Sequence, residues 1–192
     1  MERKEKVFML ELRIHGRGGT GVVTLADLLS KAALAAGKEA QALPFFGVER
    51  RGAVIRACFR ISDTPILQRS MSYQPDIIAL MHENMLPHAR NEGFTEGEYG
   101  AVIIVNGKTP VEAEGTQWLV DAEQIARDHG LTFGWDAYIN VPMAGAIAKV
   151  IGIPLESVES AVQVVFKGKN AASNLEAARD AYNTATKVIG GA

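Results

Sequence analysis

Six consecutive residues, Gly16-Arg17-Gly18-Gly19-Thr20-Gly21, are the part of the sequence best suited to chemistry, and that chemistry is the holding of an anion. Gly16, Gly18 and Gly21 satisfy G-x-G-x-x-G, and Gly19 adds another residue without a Cβ. Such residues permit a tight turn and close backbone approach, and the N–H groups opening a following helix favour a phosphate or pyrophosphate. The same glycines would also let a helix pack closely on a strand with nothing bound. A nicotinamide site needs Asp or Glu about 20 residues beyond the glycines to hold the ribose. That zone reads Gln41-Ala42-Leu43-Pro44-Phe45-Phe46-Gly47, and its nearest acid, Glu49, falls late and inside a loop, which disfavours a nicotinamide cofactor. A Walker A loop fails as well, because Gly21 is followed by Val22-Val23-Thr24 instead of Lys and Ser or Thr.

A second group is Glu49-Arg50-Arg51-Gly52, directly before a strand. Two guanidiniums there suit a clamp on phosphate or carboxylate oxygens, with Glu49 orienting one of them; a solvated turn paired to another subunit is the plainer alternative. The strand that follows carries Arg56 and Arg60 on one face, so a crevice uniting the glycine turn and this loop would gather four positive groups. Other reactive types are not promoted. Cys58 sits in an apolar strand as a buried, inert thiol. His15 is as suited to packing at a strand end as to touching a phosphate. His82, Glu83 and His88 lack the spacing of a helical zinc motif, so no metal is expected. Trp118, Trp135 and Tyr138 read as core or interface packing, and Lys167, Lys169 and Lys187 as solvated helix ends.

The elements that must position these groups follow from hydrophobic periodicity. Residues Phe8 to Ile14 suit a first buried strand that enters the glycine turn, and Val22, Leu25, Ala26, Leu29 and Ala33 recur at helical spacing until Gly37-Lys38 stops them. Pro44, Gly47 and Gly52 break the next stretch into a loop. Ala53, Ile55, Ala57, Phe59 and Ile61 alternate with Val54, Arg56, Cys58 and Arg60, the clearest period-two pattern in the chain, ending at Ser62-Asp63-Thr64-Pro65. Ile77 to Met81 and Ala101 to Val105 read as central strands and Trp118 to Val120 as another. Helices are expected over Asp121 to His129, Val141 to Val150, Pro154 to Phe166 and Ala171 to Val188, the last capped by Asn170. The order predicts an α/β fold, Rossmann-like, with a mostly parallel sheet, helices on both faces and Ala53 to Ile61 as a possible antiparallel addition.

With 192 residues and 47% hydrophobic content the chain reads as a single domain, 1–192, with one substantial core. Its 20 basic and 22 acidic residues leave a net charge of -2 and no field for gripping nucleic acid or an anionic membrane. No apolar run reaches the roughly 18 residues of a spanning helix, and charge returns at Glu11 and Arg13 too soon for a signal peptide, so a cytoplasmic location is expected. One cysteine cannot hold an iron–sulfur cluster, which normally takes about four thiolates.

Taken together, the stretch from Ile14 to Ile66 resembles the signature region of the gamma subunit of 2-oxoacid:ferredoxin oxidoreductases, especially the pyruvate and branched-chain members. It carries GRGGxGVVT, the G-K-x-x-Q-A lead-in to the loop, the E-R-R-G tetrad and the R-I-S-D-x-P-I strand end in the family's order. Gln74-Pro75-Asp76 and Asn140 before Pro142-Met143-Ala144-Gly145 extend the likeness over most of the chain. The resemblance implies a multisubunit enzyme that oxidatively decarboxylates a 2-oxoacid to an acyl-CoA and passes electrons to ferredoxin or another acceptor. Thiamine diphosphate and 4Fe-4S clusters would lie in partner subunits, while this chain, inactive alone, helps bind coenzyme A and hold the complex together. It carries over Gly16, Arg17, Gly18, Gly19, Thr20 and Gly21 as phosphate-facing residues, Glu49, Arg50 and Arg51 as a polar cluster near the subunit junction, and Asn140 as a further candidate. Phe46 stands where many pyruvate-type relatives have an acid, so the loop also permits an aryl 2-oxoacid such as phenylglyoxylate. The alternatives are a free-standing dinucleotide-binding oxidoreductase and a purely architectural subunit with an empty glycine loop.

Overall fold

The structure, a computed structural model, describes residues 9–45, 52–95, 101–168 and 170–190. Strand β1 (Met9–Arg17) runs into the glycine turn and helix α1 (Val22–Ala35), whose buried residues Val22, Leu25, Ala26, Leu28, Leu29, Ala32 and Ala33 form one apolar stripe. Gly37, with φ 73°, ends the helix: its N–H bonds Leu34 O at 3.0 Å and the Lys38 N–H bonds Ala33 O at 2.9 Å, which is a Schellman motif. Next come β2 (Glu39–Phe45), β3 (Val54–Ser62), β4 (Ile77–Leu80), a short 3-10 turn (Glu83–Met85), α2 (Leu86–Asn91), β5 (Val102–Asn106) and β6 (Gly115–Val120). The chain continues through α3 (Ala122–Asp128), a small hairpin of β7 (Thr132–Phe133) and β8 (Asp136–Ala137), then α4 (Asn140–Ile151), α5 (Leu155–Val165), α6 (Asn170–Thr184) and β9 (Thr186–Gly190). Among the described residues no helix is long and apolar enough to cross a membrane.

The main sheet has the order β2-β3-β1-β4-β5-β6-β9, with β3 and β9 running against the other strands. This is the expected α/β architecture, and the antiparallel addition is real: β3 lies between β1 and β2. Alternation divides the sheet into two apolar faces. Leu12, Ile14, Phe59, Ile77, Ala79 and Ile104 face α1, α4, α5 and α6, whereas Ile78, Leu80, Ile103 and Val105 pack with Met85, Leu86 and Ala89 around α2.

Three elements differ from expectation. The stretch after Gly37 is a full edge strand, β2, held by β3 despite weak strand propensity of its own. The last helix ends at Thr184 and not at Val188, because Lys149 Nζ donates to the carbonyls of Asn183 and Ala185 at 3.2 and 2.9 Å, and β-branched Thr186, Val188 and Ile189 then pair with β6. Helix α2, with six residues, is too short to print a helical period in the sequence.

The β1–β3 half of the second face is polar. Arg60, 1% exposed, donates to Glu11 Oε1 at 2.6 Å, Gln41 Oε1 at 2.8 Å and Ser70 O at 2.6 Å. Arg13 closes the end of α2 through Ala89 O and Glu92 O, at 3.2 and 3.1 Å, and donates from Nε to His15 Nε2 at 3.0 Å. His15 is fully buried with its Nδ1 unpaired, and burial, reinforced by Arg13 and Arg56, lowers its pKa to about 3.

Two outcomes follow from this packing. A Cβ on Gly145 would stand 2.3 Å from Ala178 O, where α4 crosses α6. Gly145→Ala is therefore expected to cost roughly 1–3 kcal/mol or more through displaced helices, read as a lower urea midpoint. His15 is a base whose pKa lies lower in the folded chain than in the unfolded one, so acid protonates the unfolded chain first. Its effect on stability is flat above pH 6.5 and erodes as pH falls from there toward 3. The stability advantage of the wild type over His15→Gln should shrink across that window by about 1.4 kcal/mol per pH unit, measured by denaturation at a series of pH values.

Candidate functional site

The glycine turn sits at the carboxyl ends of β1 and β4. The chain leaves β1 for β2 and β3 on one side and later adds β4 on the other, so a crevice opens where the strand order reverses. Thr20 builds the turn: its N–H and Oγ1 reach Arg17 O at 3.0 and 2.8 Å, and its Oγ1 accepts the Arg17 N–H at 3.2 Å. Gly16 is required by space, since a Cβ would lie 2.5 Å from Val22 Cγ2 and 3.0 Å from Met81 Cγ. Gly21 is required by conformation and space, with φ 81° and a Cβ position 2.9 Å from Asn140 Cβ. Asn140, 8% exposed at the start of α4, is thereby seated on the turn.

Gly21 caps α1 without a side-chain hydrogen bond, and the first turn holds no acid. The opening N–H groups of α1 therefore keep both their hydrogen-bonding capacity and the positive end of the helix dipole. Not every amide of the turn is available. The Gly18 N–H is donated to Ala53 O at 2.8 Å and the Gly52 N–H to Gly18 O at 3.1 Å, which ties the turn to the start of β3; Arg17 Nη1 adds a bond to Gly52 O at 3.2 Å.

A cleft of about 320 Å³ lies over this turn. Arg17, Gly18, Gly19, Thr20 and Gly52 line one side, His82 lies beyond β4, and Glu123 of α3 with Phe133, Trp135 and Tyr138 of the hairpin region lines the other. Burial lowers the pKa of His82, with Arg17 adding to the effect and Glu123 opposing it, so its imidazole is neutral at pH 7. The cleft thus offers one guanidinium from Arg17, two carboxylates from Glu123 and Asp136, the backbone of the glycine turn and an aromatic wall. A second cavity of about 250 Å³, beside Gln74-Pro75-Asp76 and Gly93-Phe94-Thr95, lies by the amino ends of β4 and β5, away from this chemistry.

The structure brings together Gly16, Arg17, Gly18, Gly19, Thr20, Gly21 and Asn140. Glu49, Arg50 and Arg51 lie outside the described residues; Gly52, the last residue of their tetrad, is on the cleft. The expectation that Arg56 and Arg60 join this crevice is corrected. Arg60 pairs with Glu11, near the opposite end of β1 from the turn, and Arg56 forms an ion pair with Glu92 and lies 5.5 Å from the centroid of the Phe45 ring. Of the two roles expected for Trp135, core or interface packing, the core one is excluded, since the side chain is 93% exposed. Sequence reasoning missed His82 and Glu123 as cleft residues. The available signal was position, since His82 directly follows a buried strand and its trailing Met81, where open α/β sheets place ligand contacts.

Residues 11–184 match the family described as Pyruvate ferredoxin/flavodoxin oxidoreductase. The chain is 41% identical over 184 residues to the Pyruvate/ketoisovalerate oxidoreductases common subunit gamma of Thermococcus litoralis, covering 91% of this chain and 96% of that one. It superposes on pyruvate oxidoreductase subunit PORC of Thermotoga maritima with a TM-score of 0.77 and 31% identity, covering 93% of this chain and 98% of that one. The fold also matches part of 2-oxoglutarate:ferredoxin oxidoreductase from Magnetococcus marinus, solved with 2-oxoglutarate, coenzyme A and succinyl-CoA bound, at a TM-score of 0.76 and 18% identity, over 96% of this chain and 32% of that one. With the family model matching residues 11–184 and relatives matched nearly end to end, this chain belongs to the pyruvate ferredoxin/flavodoxin oxidoreductase family, where its likeness is to the gamma subunit.

Proposed function

We propose that this chain, as a single domain, is the coenzyme A-binding gamma subunit of a cytoplasmic complex that oxidatively decarboxylates a 2-oxoacid to an acyl-CoA. The observation that carries the reading is the glycine turn, whose Gly18, Gly19 and Thr20 line the cleft beside Arg17 at the strand switch point and lead into the uncapped, acid-free start of α1. Helix-start N–H groups and a guanidinium suit the pyrophosphate of coenzyme A. The coenzyme in the complex from Magnetococcus marinus supports the same ligand class. Partner subunits hold thiamine diphosphate, which supplies the decarboxylation, and 4Fe-4S clusters, which pass electrons to ferredoxin or another acceptor. Alone the chain is inactive. Glu49, Arg50 and Arg51 form a polar cluster near the subunit junction, and Asn140 holds the turn in place. The substrate is pyruvate or a relative, with an aryl 2-oxoacid such as phenylglyoxylate permitted by the apolar Phe45-Phe46-Gly47-Val48 segment.

The dinucleotide-binding alternative is weakened by topology. In that fold the ribose acid ends a strand adjacent to β1, whereas here β3 intervenes and the described end of β2 reads Leu43-Pro44-Phe45, without a carboxylate. The architectural alternative has one observation in its favour, the Gly18 N–H already spent on Ala53.

The test is to purify the complex through a tag on this chain, record subunit masses, iron and thiamine, and assay one-electron dye reduction with a panel of 2-oxoacids. Arg17→Met should raise the KM for coenzyme A about tenfold or more, with subunit composition retained, as expected for loss of a hydrogen bond to a charged group. Unchanged kinetics in an intact complex would favour the architectural subunit, and a lone protein without partners would reject the assembly.

A further inference from the structure

The cleft has a second half that the phosphate chemistry leaves unused. Phe133, Trp135 and Tyr138 are 73%, 93% and 49% exposed, yet all three face the same cleft as the glycine turn. Scattered exposed apolar side chains need no explanation, but three aromatics converging on one wall do. Their hairpin is also held in place. Gly134, with φ 60°, makes the tight loop, Phe133 pairs with Asp136 across it, and Arg127 of α3 donates to Trp135 O at 3.0 Å while bonding Glu123 Oε1 at 2.6 Å. The aromatic wall is thus fixed opposite a site suited to phosphate. What pairs a flat π-face with an adjoining anion is a nucleotide, base on the rings and phosphates on the glycine turn beside Arg17.

We propose that the β7–β8 hairpin is the adenine platform of the site, with Trp135 as the stacking surface and Phe133 beside it. The inference rests on the coenzyme A reading above and adds the subsite. A cleft of about 320 Å³ is at the small end for a ligand pocket. It suits the adenosine and pyrophosphate half of coenzyme A, and the pantetheine arm then leaves the cleft toward the partner that holds the reacting acyl group.

The chain has two tryptophans, and Trp118 lies against Lys149 Nζ at 5.7 Å, away from the cleft. In a Trp118→Phe background, Trp135 becomes the reporter. Titration of the full chain with coenzyme A should quench its emission, and pantetheine 4′-phosphate, which lacks the base, should not. By calorimetry, Trp135→Ala should bind coenzyme A about tenfold more weakly, Trp135→Phe should restore most of that affinity, and binding of pantetheine 4′-phosphate should be unaltered. Equal coenzyme A affinity in the wild type and Trp135→Ala would overturn the platform. So would loss of the partner subunits from Trp135→Ala with coenzyme A affinity intact, which would make the hairpin a subunit anchor. The two proposals fail separately: quenching by adenosine 3′,5′-bisphosphate without coenzyme A binding keeps the platform and rejects the coenzyme A reading, whereas quenching by neither rejects both.

Discussion

The antiparallel pairing of β1 with β3 extends over nine residue pairs, from Met9 opposite Ser62 to Arg17 opposite Val54, and most other features are arranged around it. At one end its continuation, Gly18 against Gly52-Ala53, fixes the glycine turn to the segment that follows the E-R-R tripeptide. At the other end it sets Arg60 against Glu11, where the guanidinium is buried with an acid, an amide oxygen and a carbonyl as partners. A slip of one residue would turn Arg60 into the helix-covered core and set Phe59 among the polar partners of Arg60, so the buried charge is a strong reason for the register to be unique.

That pairing also separates this fold from ordinary dinucleotide-binding sheets. Placing β3 beside β1 moves β2 out by one strand, about 4.8 Å further from the turn. The glycine motif survives because its demands are local: room at Gly16 beside Val22 and Met81, and a left-handed backbone at Gly21 under Asn140. The ribose-binding half of the motif depends on the neighbouring strand and is lost. One short sequence pattern therefore has different ligand consequences on two sheets.

Much of the architecture was legible because it rests on local signals. The alternation from Ala53 to Ile61, the apolar runs at Ile77 and Ala101, and the spacing of Val22, Leu25 and Leu29 each specify an element without outside help. The elements not foreseen are those that partners create, β2 through β3 and β9 through β6 and the lysine that closes α6, and those too short to leave a period, α2 and the β7–β8 hairpin. For the site, the glycine turn was visible, whereas alternation put Arg56 and Arg60 on one face without showing that Arg60 lies at the far end of β1 from the turn or that Arg56, near the turn, is engaged by Glu92. His82, Glu123 and the aromatic hairpin come from distant positions in the chain, and only the topology puts them on one cleft.

Asn140 seated on Gly21 links the starts of α1 and α4, so the glycine turn that borders the cleft is set when the chain folds. A ligand arriving there meets donors that are already aligned and has little backbone left to order. Much of the selectivity between ligands must then come from fit, since a rigid turn accommodates an ill-matched phosphate poorly.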